Sequence, residues 1–199
     1  MALAMTRSKI TAAQIPNIIT LVRIFLVLPT AVLLWRGMYP QALVIMSIAG
    51  ASDALDGWLA RRYNWLSSFG AAMDPVADKL LVAVVFVIFT VQGHIPIWVA
   101  AIVLGRDGVI MAGAGVYRLL FESIEFSPTF ISKANTATQI VMLLLLLLAL
   151  CEFSIFSELA FALVDPFCFY LLAVLGIASG LDYVITWGRR ALRNAKRAS

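Results

Sequence analysis

Residues 41–91 read QALVIMSIAGASDALDGWLARRYNWLSSFGAAMDPVADKLLVAVVFVIFTV. Two apolar runs, 41–60 and 70–91, flank a polar link that begins at Arg61 and Arg62, and four aspartates stand inside them. A membrane-spanning helix needs about 20 predominantly apolar residues. The stretch therefore reads as a helical hairpin in a membrane. Asp53 and Asp56 fall near the end of its first arm, Asp74 and Asp78 near the start of its second. An ionisable side chain at mid-membrane costs roughly 2.5–3.5 kcal/mol on insertion scales, so such residues mark a watery cavity, a partner or a metal.

The rest of the chain fits that hairpin. Of 199 residues, 62% are hydrophobic and 13% charged, and the mean hydropathy is +0.96. A soluble domain is about a quarter charged, so a soluble or disordered protein is excluded. Further apolar runs at 18–35, 96–117, 132–150 and 166–187 give six expected spans and an all-α membrane bundle forming one domain over 1–199. Six spans place both termini on one side. That side carries eleven Lys and Arg and the other only Arg36, so the termini are expected to be cytoplasmic. The net charge of +4 then records orientation and attraction to anionic lipid rather than nucleic acid. Segment 1–16 is expected to be interfacial, and 188–199 a basic cytoplasmic tail. Cys151 and Cys168 lie in apolar surroundings and read as free thiols. The first apolar run lacks a small-residue cleavage site and reads as a retained span.

The hairpin carries the chemistry. Residues three or four apart share one helix face, so each aspartate pair presents two carboxylates together. Asp56 precedes Arg61 by five residues, roughly 7–8 Å of helix rise. Too few cations lie nearby to pair four carboxylates, and hard divalent ions with oxygen ligands are the natural counter-charge. Gly57, Ala60 and Gly70 leave room for a ligand near the backbone, or for close helix packing. Arg61, one turn beyond Gly57, can fork onto a phosphate. Other charges inside or at the edge of spans are Arg23, Lys79, Arg106, Asp107 and Asp182, for which internal pairs such as Arg106 with Asp107 remain an alternative.

The pattern Asp53-x2-Asp56-Gly57-x2-Ala60-Arg61-x8-Gly70-x3-Asp74-x3-Asp78 resembles the signature of the CDP-alcohol phosphotransferases at all eight of its positions. The resemblance implies a six-span bundle with its active site near the cytoplasmic face. It implies that Asp53, Asp56, Asp74 and Asp78 hold two ions, Mg²⁺ or Mn²⁺, with Asp78 also the general base. It implies that Gly57, Ala60 and Arg61 receive the cytidine diphosphate portion, that CMP is released, and that the enzyme is a homodimer.

Three further stretches bear on the acceptor. Ile15-Pro16-Asn17-Ile18-Ile19-Thr20-Leu21-Val22-Arg23 and Asp74-Pro75-Val76-Ala77-Asp78-Lys79 are similar to enzymes that use CDP-diacylglycerol to make phosphatidylglycerophosphate or cardiolipin. Pro128-Thr129-Phe130-Ile131-Ser132-Lys133-Ala134-Asn135-Thr136-Ala137-Thr138-Gln139 resembles the eukaryotic-type cardiolipin synthases, as does Arg106-Asp107. Phosphatidylglycerophosphate synthases usually carry Gly-Lys-x-Lys-Thr there. Asn135 stands where their second lysine would meet a dianionic phosphomonoester. One cation fewer suits the phosphodiester of phosphatidylglycerol, held by Arg106, Arg118, Lys133 and Asn135; a helix-cap or interhelical hydrogen bond is the alternative for Asn135. The expected reaction transfers a phosphatidyl group from CDP-diacylglycerol to phosphatidylglycerol. Glycerol 3-phosphate is the rival acceptor, and the nine-residue loop between Arg118 and Pro128, shorter than in the eukaryotic enzymes, keeps that rival open. A divalent-cation transporter would spread its acidic groups over several spans and depths, whereas here they cluster in one hairpin. The short chain without a long leader suits a bacterial plasma-membrane enzyme. His94 reads as a surface histidine in an outer loop, Asp182 as a structural partner, and Asp165-Pro166 as a helix start. Trp35, Trp98 and Trp187 read as interfacial anchors.

Overall fold

The computed structural model describes residues 15–63, 68–120, 129–152 and 155–198, and every regular element among them is helical. In chain order these are α1 (Ile15–Trp35), α2 (Tyr39–Tyr63), α3 (Ser68–Val91), α4 (Ile97–Leu120), α5 (Phe130–Leu150), α6 (Ile155–Ala162), a π-helical turn (Leu163–Cys168) and α7 (Phe169–Ala198). Two helical stretches, Phe130–Leu150 and Ser157–Thr186, are long and apolar enough to cross a membrane among the described residues. Together with the composition they mark a membrane protein. Large apolar side chains stay exposed along the helices, as on a surface that faces lipid: Phe25, Leu28, Ile97, Phe130 and Val174 are each more than half exposed.

The chain forms two compact units, Met1–Ile88 and Phe89–Ser199. In the first, α1 packs against α2. Their junction closes on Gly37, whose φ of +71° no β-carbon obstructs. The Gly37 N–H donates to Leu34 at 3.0 Å and the Met38 N–H to Leu33 at 2.9 Å, which satisfies the last carbonyls of α1. Leu34 and Ala42 are fully buried on either side of this turn, so the hairpin is tight from its closed end. Pro29 lies inside α1, and the Thr30 hydroxyl donates to the Leu26 carbonyl at 2.7 Å, supporting the backbone beside the missing N–H.

The second unit opens with another glycine-closed turn. Gly93 has φ +82°, and the His94 N–H donates to Phe89 at 2.8 Å. The His94 ring stands edge-on to Phe89 with centroids 5.9 Å apart. His94 therefore lies in the loop, as expected, but half-buried, and burial lowers its pKa below the ordinary 6.5. In this unit α4 packs on α7, and α5 packs on α6 and α7. Trp98 meets Tyr170 at their first turns, and Tyr183 further along α7 donates to Ile110 at 3.3 Å, so α4 and α7 run parallel. Val99, Val103, Met142, Leu146, Leu147 and Leu172 fill the core between the helices. Thr129 caps α5 by accepting from the Ser132 N–H. Cys151 and Cys168 are free thiols, as read.

Two features differ from the expected boundaries. Asp165-Pro166 does not open the last helix from a loop: α6 precedes it, and Asp165, at φ −113° and ψ 116°, is a break between two helical stretches. A residue before proline is pushed from the helical to the extended region, which accounts for the break. The basic tail is helical to Ala198, because Arg and Lys are strong helix formers and sit favourably at a helix C-terminus. The interfacial segment expected over 1–16 lies outside the described residues up to position 14.

Candidate active site

The four aspartates fall within unbroken helix. Asp53 and Asp56 belong to α2, which also carries Gly57, Ala60 and Arg61, and Asp74 and Asp78 belong to α3 with Gly70. Positions 53 and 56, and positions 74 and 78, therefore share a helix face by register. The arrangement of these side chains, and that of Arg118 on α4, lies outside the described residues. As a donor set, four carboxylates with neither thiolate nor imidazole suit a hard divalent cation.

Alongside them in the first unit is a groove of about 380 Å³ between α1 and α2. Val22, Arg23 and Leu26 line it from α1, and Ile48, Ala49, Ala51 and Ser52 from α2. Among the described lining residues Arg23 alone is charged, and it is only 3% exposed. The sequence reading counted Arg23 among the intramembrane charges but gave it no site role. Its burial beside the aspartate-bearing helix is a tertiary fact that no local pattern announces.

The second unit builds a polar cluster where α4, α5 and α7 meet. Arg106 donates to Ser179 on α7 from Nη2 at 2.7 Å and Nε at 3.1 Å, to Asp107 at 2.5 Å, and to Ser132 on α5. Arg106 and Asp107 are both buried, so the ion pair left open by the sequence is formed and the cluster carries no net charge from them. Ser132 lies level with Ser179, and Asn135 lies close to Gly176, so α5 runs antiparallel to α7. Gly176 and Gly180 allow this approach: a β-carbon on Gly176 would stand 2.9 Å from Ile102 and 3.8 Å from Asn135 Oδ1, and one on Gly180 3.8 Å from Arg106.

Asn135 and Gln139, one turn apart on α5, are fully buried, and their amide atoms have no hydrogen-bond partner among the described residues. An unmet buried polar group costs about 1–3 kcal/mol, so this face of α5 is polar at a price that packing alone does not explain. Lys133 is exposed, two positions and about 200° of helix from Asn135. Of the residues expected to hold the acceptor, the structure buries Arg106, which meets Ser132 on α5, and Asn135 one turn along that helix, and sets Lys133 on another face of α5. Ser132 and Ser179 were missed as partners of Arg106, and Gln139 as a buried amide of α5. The resemblance segment ended on Gln139, and its spacing of four from Asn135 was the one available signal. Asp182 is half-buried on α7.

Among the described residues the chain is all helix, a membrane protein with paired aspartates on two of its helices and a buried arginine cluster on others. The chain belongs to the CDP-alcohol phosphatidyltransferase family, whose model matches residues 13–184; the family is one of transferases. It is 32% identical to the cardiolipin synthase (CMP-forming) of Rattus norvegicus over 144 residues, 64% of this chain and 48% of that protein. It is 32% identical over 196 residues to the cardiolipin synthase (CMP-forming) / mitochondrial hydrolase fusion protein of Schizosaccharomyces pombe, covering 90% of this chain and 32% of that one. It is also 36% identical over 143 residues to the CDP-diacylglycerol–glycerol-3-phosphate 3-phosphatidyltransferase of Escherichia coli K12, covering 67% of this chain and 76% of that one. The chain spans about half the length of the first curated relatives it matches.

Proposed function

We propose that this protein transfers a phosphatidyl group from CDP-diacylglycerol to phosphatidylglycerol, giving cardiolipin and CMP. The observation that carries this choice is the inner face of α5: Asn135 and Gln139 are buried carboxamides on the helix whose Ser132 meets an arginine already neutralised by Asp107. Such a face suits a neutral glycerol headgroup better than a dianionic phosphomonoester. The likeness to the Rattus norvegicus cardiolipin synthase supports the same acceptor. The Escherichia coli relative, of which the chain covers 76%, favours glycerol 3-phosphate as the second reading.

In this reading Asp53, Asp56, Asp74 and Asp78 supply the carboxylates for two divalent ions, Mg²⁺ or Mn²⁺. When bound, such ions stabilise charge on the diphosphate and on the departing CMP. Gly57, Ala60 and Arg61 receive the cytidine diphosphate, Arg61 by forking onto phosphate oxygens. Asp78 takes the proton of the acceptor hydroxyl as its oxygen attacks the phosphatidyl phosphorus and the bond to CMP breaks. Arg106, Arg118, Lys133 and Asn135 hold the acceptor. The protein is one membrane domain of six spans, with the site near the cytoplasmic face and both termini cytoplasmic, acting as a homodimer in a bacterial plasma membrane. The helix lengths and the positive bias of one side support that topology.

An acceptor competition tests the reading. Purified protein receives CDP-diacylglycerol, Mg²⁺, phosphatidylglycerol and glycerol 3-phosphate together, and the lipid product is identified by mass. Cardiolipin is the expected product; phosphatidylglycerophosphate would replace the acceptor while keeping the family chemistry.

A further inference from the structure

The last helix is longer than a hydrocarbon core needs. α7 runs unbroken for 30 residues, about 45 Å at 1.5 Å per residue. That matches a whole bilayer with its headgroups, of which the core takes about 30 Å. Aromatic positions mark the two ends of the core. Tyr170, 63% exposed and 5.8 Å from Trp98 between ring centroids, stands at the first turn. Trp187 follows about 26 Å along the axis. Arg189, Arg190 and Arg193 then fall about 3–9 Å beyond Trp187, at headgroup depth, and Lys196 and Arg197 one turn further.

The register of α7 sorts its faces. Gly176, Ser179 and Tyr183 lie against α4 or α5. Val174, Ile177, Leu181, Val184 and Ile185 are at least half exposed and form the lipid side. Leu175, Ala178, Asp182 and Thr186, all half-buried, form the flank between. At about 100° per residue, Arg189, Arg190, Arg193, Lys196 and Arg197 fall within one arc of about 120° that continues this flank. Ala191, Leu192, Ala195 and Ala198 fall on the opposite arc and continue the lipid side.

Five cations on one arc repel each other. Arg193 is three or four residues from Arg189, Arg190, Lys196 and Arg197, and like charges at those spacings destabilise a helix. Residues 183–199 hold no Asp or Glu, and Asp182, seven residues before Arg189, is outside that spacing. The counter-charge must come from outside the helix. We infer that this basic stripe of α7 is a docking site for anionic phospholipid headgroups, whose phosphates line about 12 Å of helix from Arg189 to Arg197. Its depth selects the membrane's own phosphates over a soluble acidic protein. Orientation in the membrane depends on how many cations a side carries, not on which helix face holds them, so the one-sided arrangement is a separate feature. The docking does not depend on the acceptor proposed above, although phosphatidylglycerol and cardiolipin both belong to this lipid class.

The stripe is itself a row of trypsin sites, which gives the test. Full-length protein is placed in nanodiscs of phosphatidylcholine, with or without about a third of phosphatidylserine, and cleavage within 189–197 is timed by intact mass. Phosphatidylserine is expected to slow the wild-type cleavage about tenfold, and about 0.5 M NaCl to abolish the slowing. A rearranged variant keeps the same cations, trypsin sites and net charge but spreads them round the helix. It combines Arg190→Ala, Ala191→Arg, Ala195→Lys, Lys196→Ala, Arg197→Ala and Ala198→Arg. Its cleavage is expected to differ by no more than about twofold between the two discs. Equal rates for the wild type in both discs would overturn the inference, with no variant needed. Slowing that survives salt, or that is as large in the rearranged variant, would overturn it as well.

Discussion

Arg106 on α4 and Ser179 on α7 are joined by two hydrogen bonds, at 2.7 and 3.1 Å, across 73 residues of chain. The pair fixes two parallel helices at one level, and Ser132 brings α5 to the same point. A guanidinium buried in an apolar bundle is held by every acceptor it can reach, here Ser179, Asp107 and Ser132, so the cluster acts as a unit.

Removing the arginine leaves Asp107 buried without that cation. Arg106→Met is expected to destabilise by about 3–5 kcal/mol, and Ser179→Ala by about 1.5–3 kcal/mol. Replacing Arg106 and Asp107 together, by Met and Leu, is expected to recover most of the first loss. Thermal unfolding in detergent measures all three, and additive losses in the double variant would refute the coupling.

The two kinds of glycine in this unit predict opposite signs. A β-carbon on Gly176 would meet the branched Ile102 side chain at 2.9 Å, whereas one on Gly108 meets nothing within 4 Å. Gly176→Ala is expected to cost about 1–3 kcal/mol through overpacking. Gly108→Ala is expected to be neutral or to stabilise by up to about 1 kcal/mol, through lower chain entropy in the unfolded state. Unfolding midpoints of the two variants decide it.

Asn135 stands where a lysine would add a cation to a neutral cluster. Asn135→Lys is expected to raise the use of glycerol 3-phosphate relative to phosphatidylglycerol, about tenfold in the ratio of kcat/KM, the size of one charge-assisted contact. An unchanged ratio would remove the charge argument for the acceptor.

Asp78 is assigned the proton transfer. Asp78→Asn is expected to lower turnover by about 10²–10⁴-fold, the usual contribution of a general base, while CDP-diacylglycerol still binds. A chelator in excess is expected to stop wild-type turnover, and restored Mg²⁺ to return it. Turnover that survives chelation would exclude the two-metal arrangement.

The helices were legible in the sequence because each apolar run of about 20 residues can satisfy its backbone in a bilayer only as a helix. The ends were less so: α7 runs on to Ala198 through a basic tail, and α6 before Asp165 was not read at all. In both cases the chain stays helical where hydropathy has ceased to report it. The aspartate signature was legible because residues three and four apart share a face on any helix. Arg106 and Asn135 were named as candidates, yet the ties of Arg106 to Ser132 and Ser179 and the burial of Gln139 were not.

What the sequence by itself determined is therefore local: the membrane class, the helices that carry the aspartates, and the family signature from Asp53 to Asp78. These follow from hydrophobic length and helical period, which act over a few turns. Only the tertiary structure decided that Arg106 is neutralised by Asp107 and tied to Ser132 and Ser179. The same holds for the Asn135 and Gln139 face lying inside and for the burial of Arg23 beside a groove. Each of these depends on which helix faces cross. Side-chain packing between distant segments settles that, and no spacing within one segment encodes it.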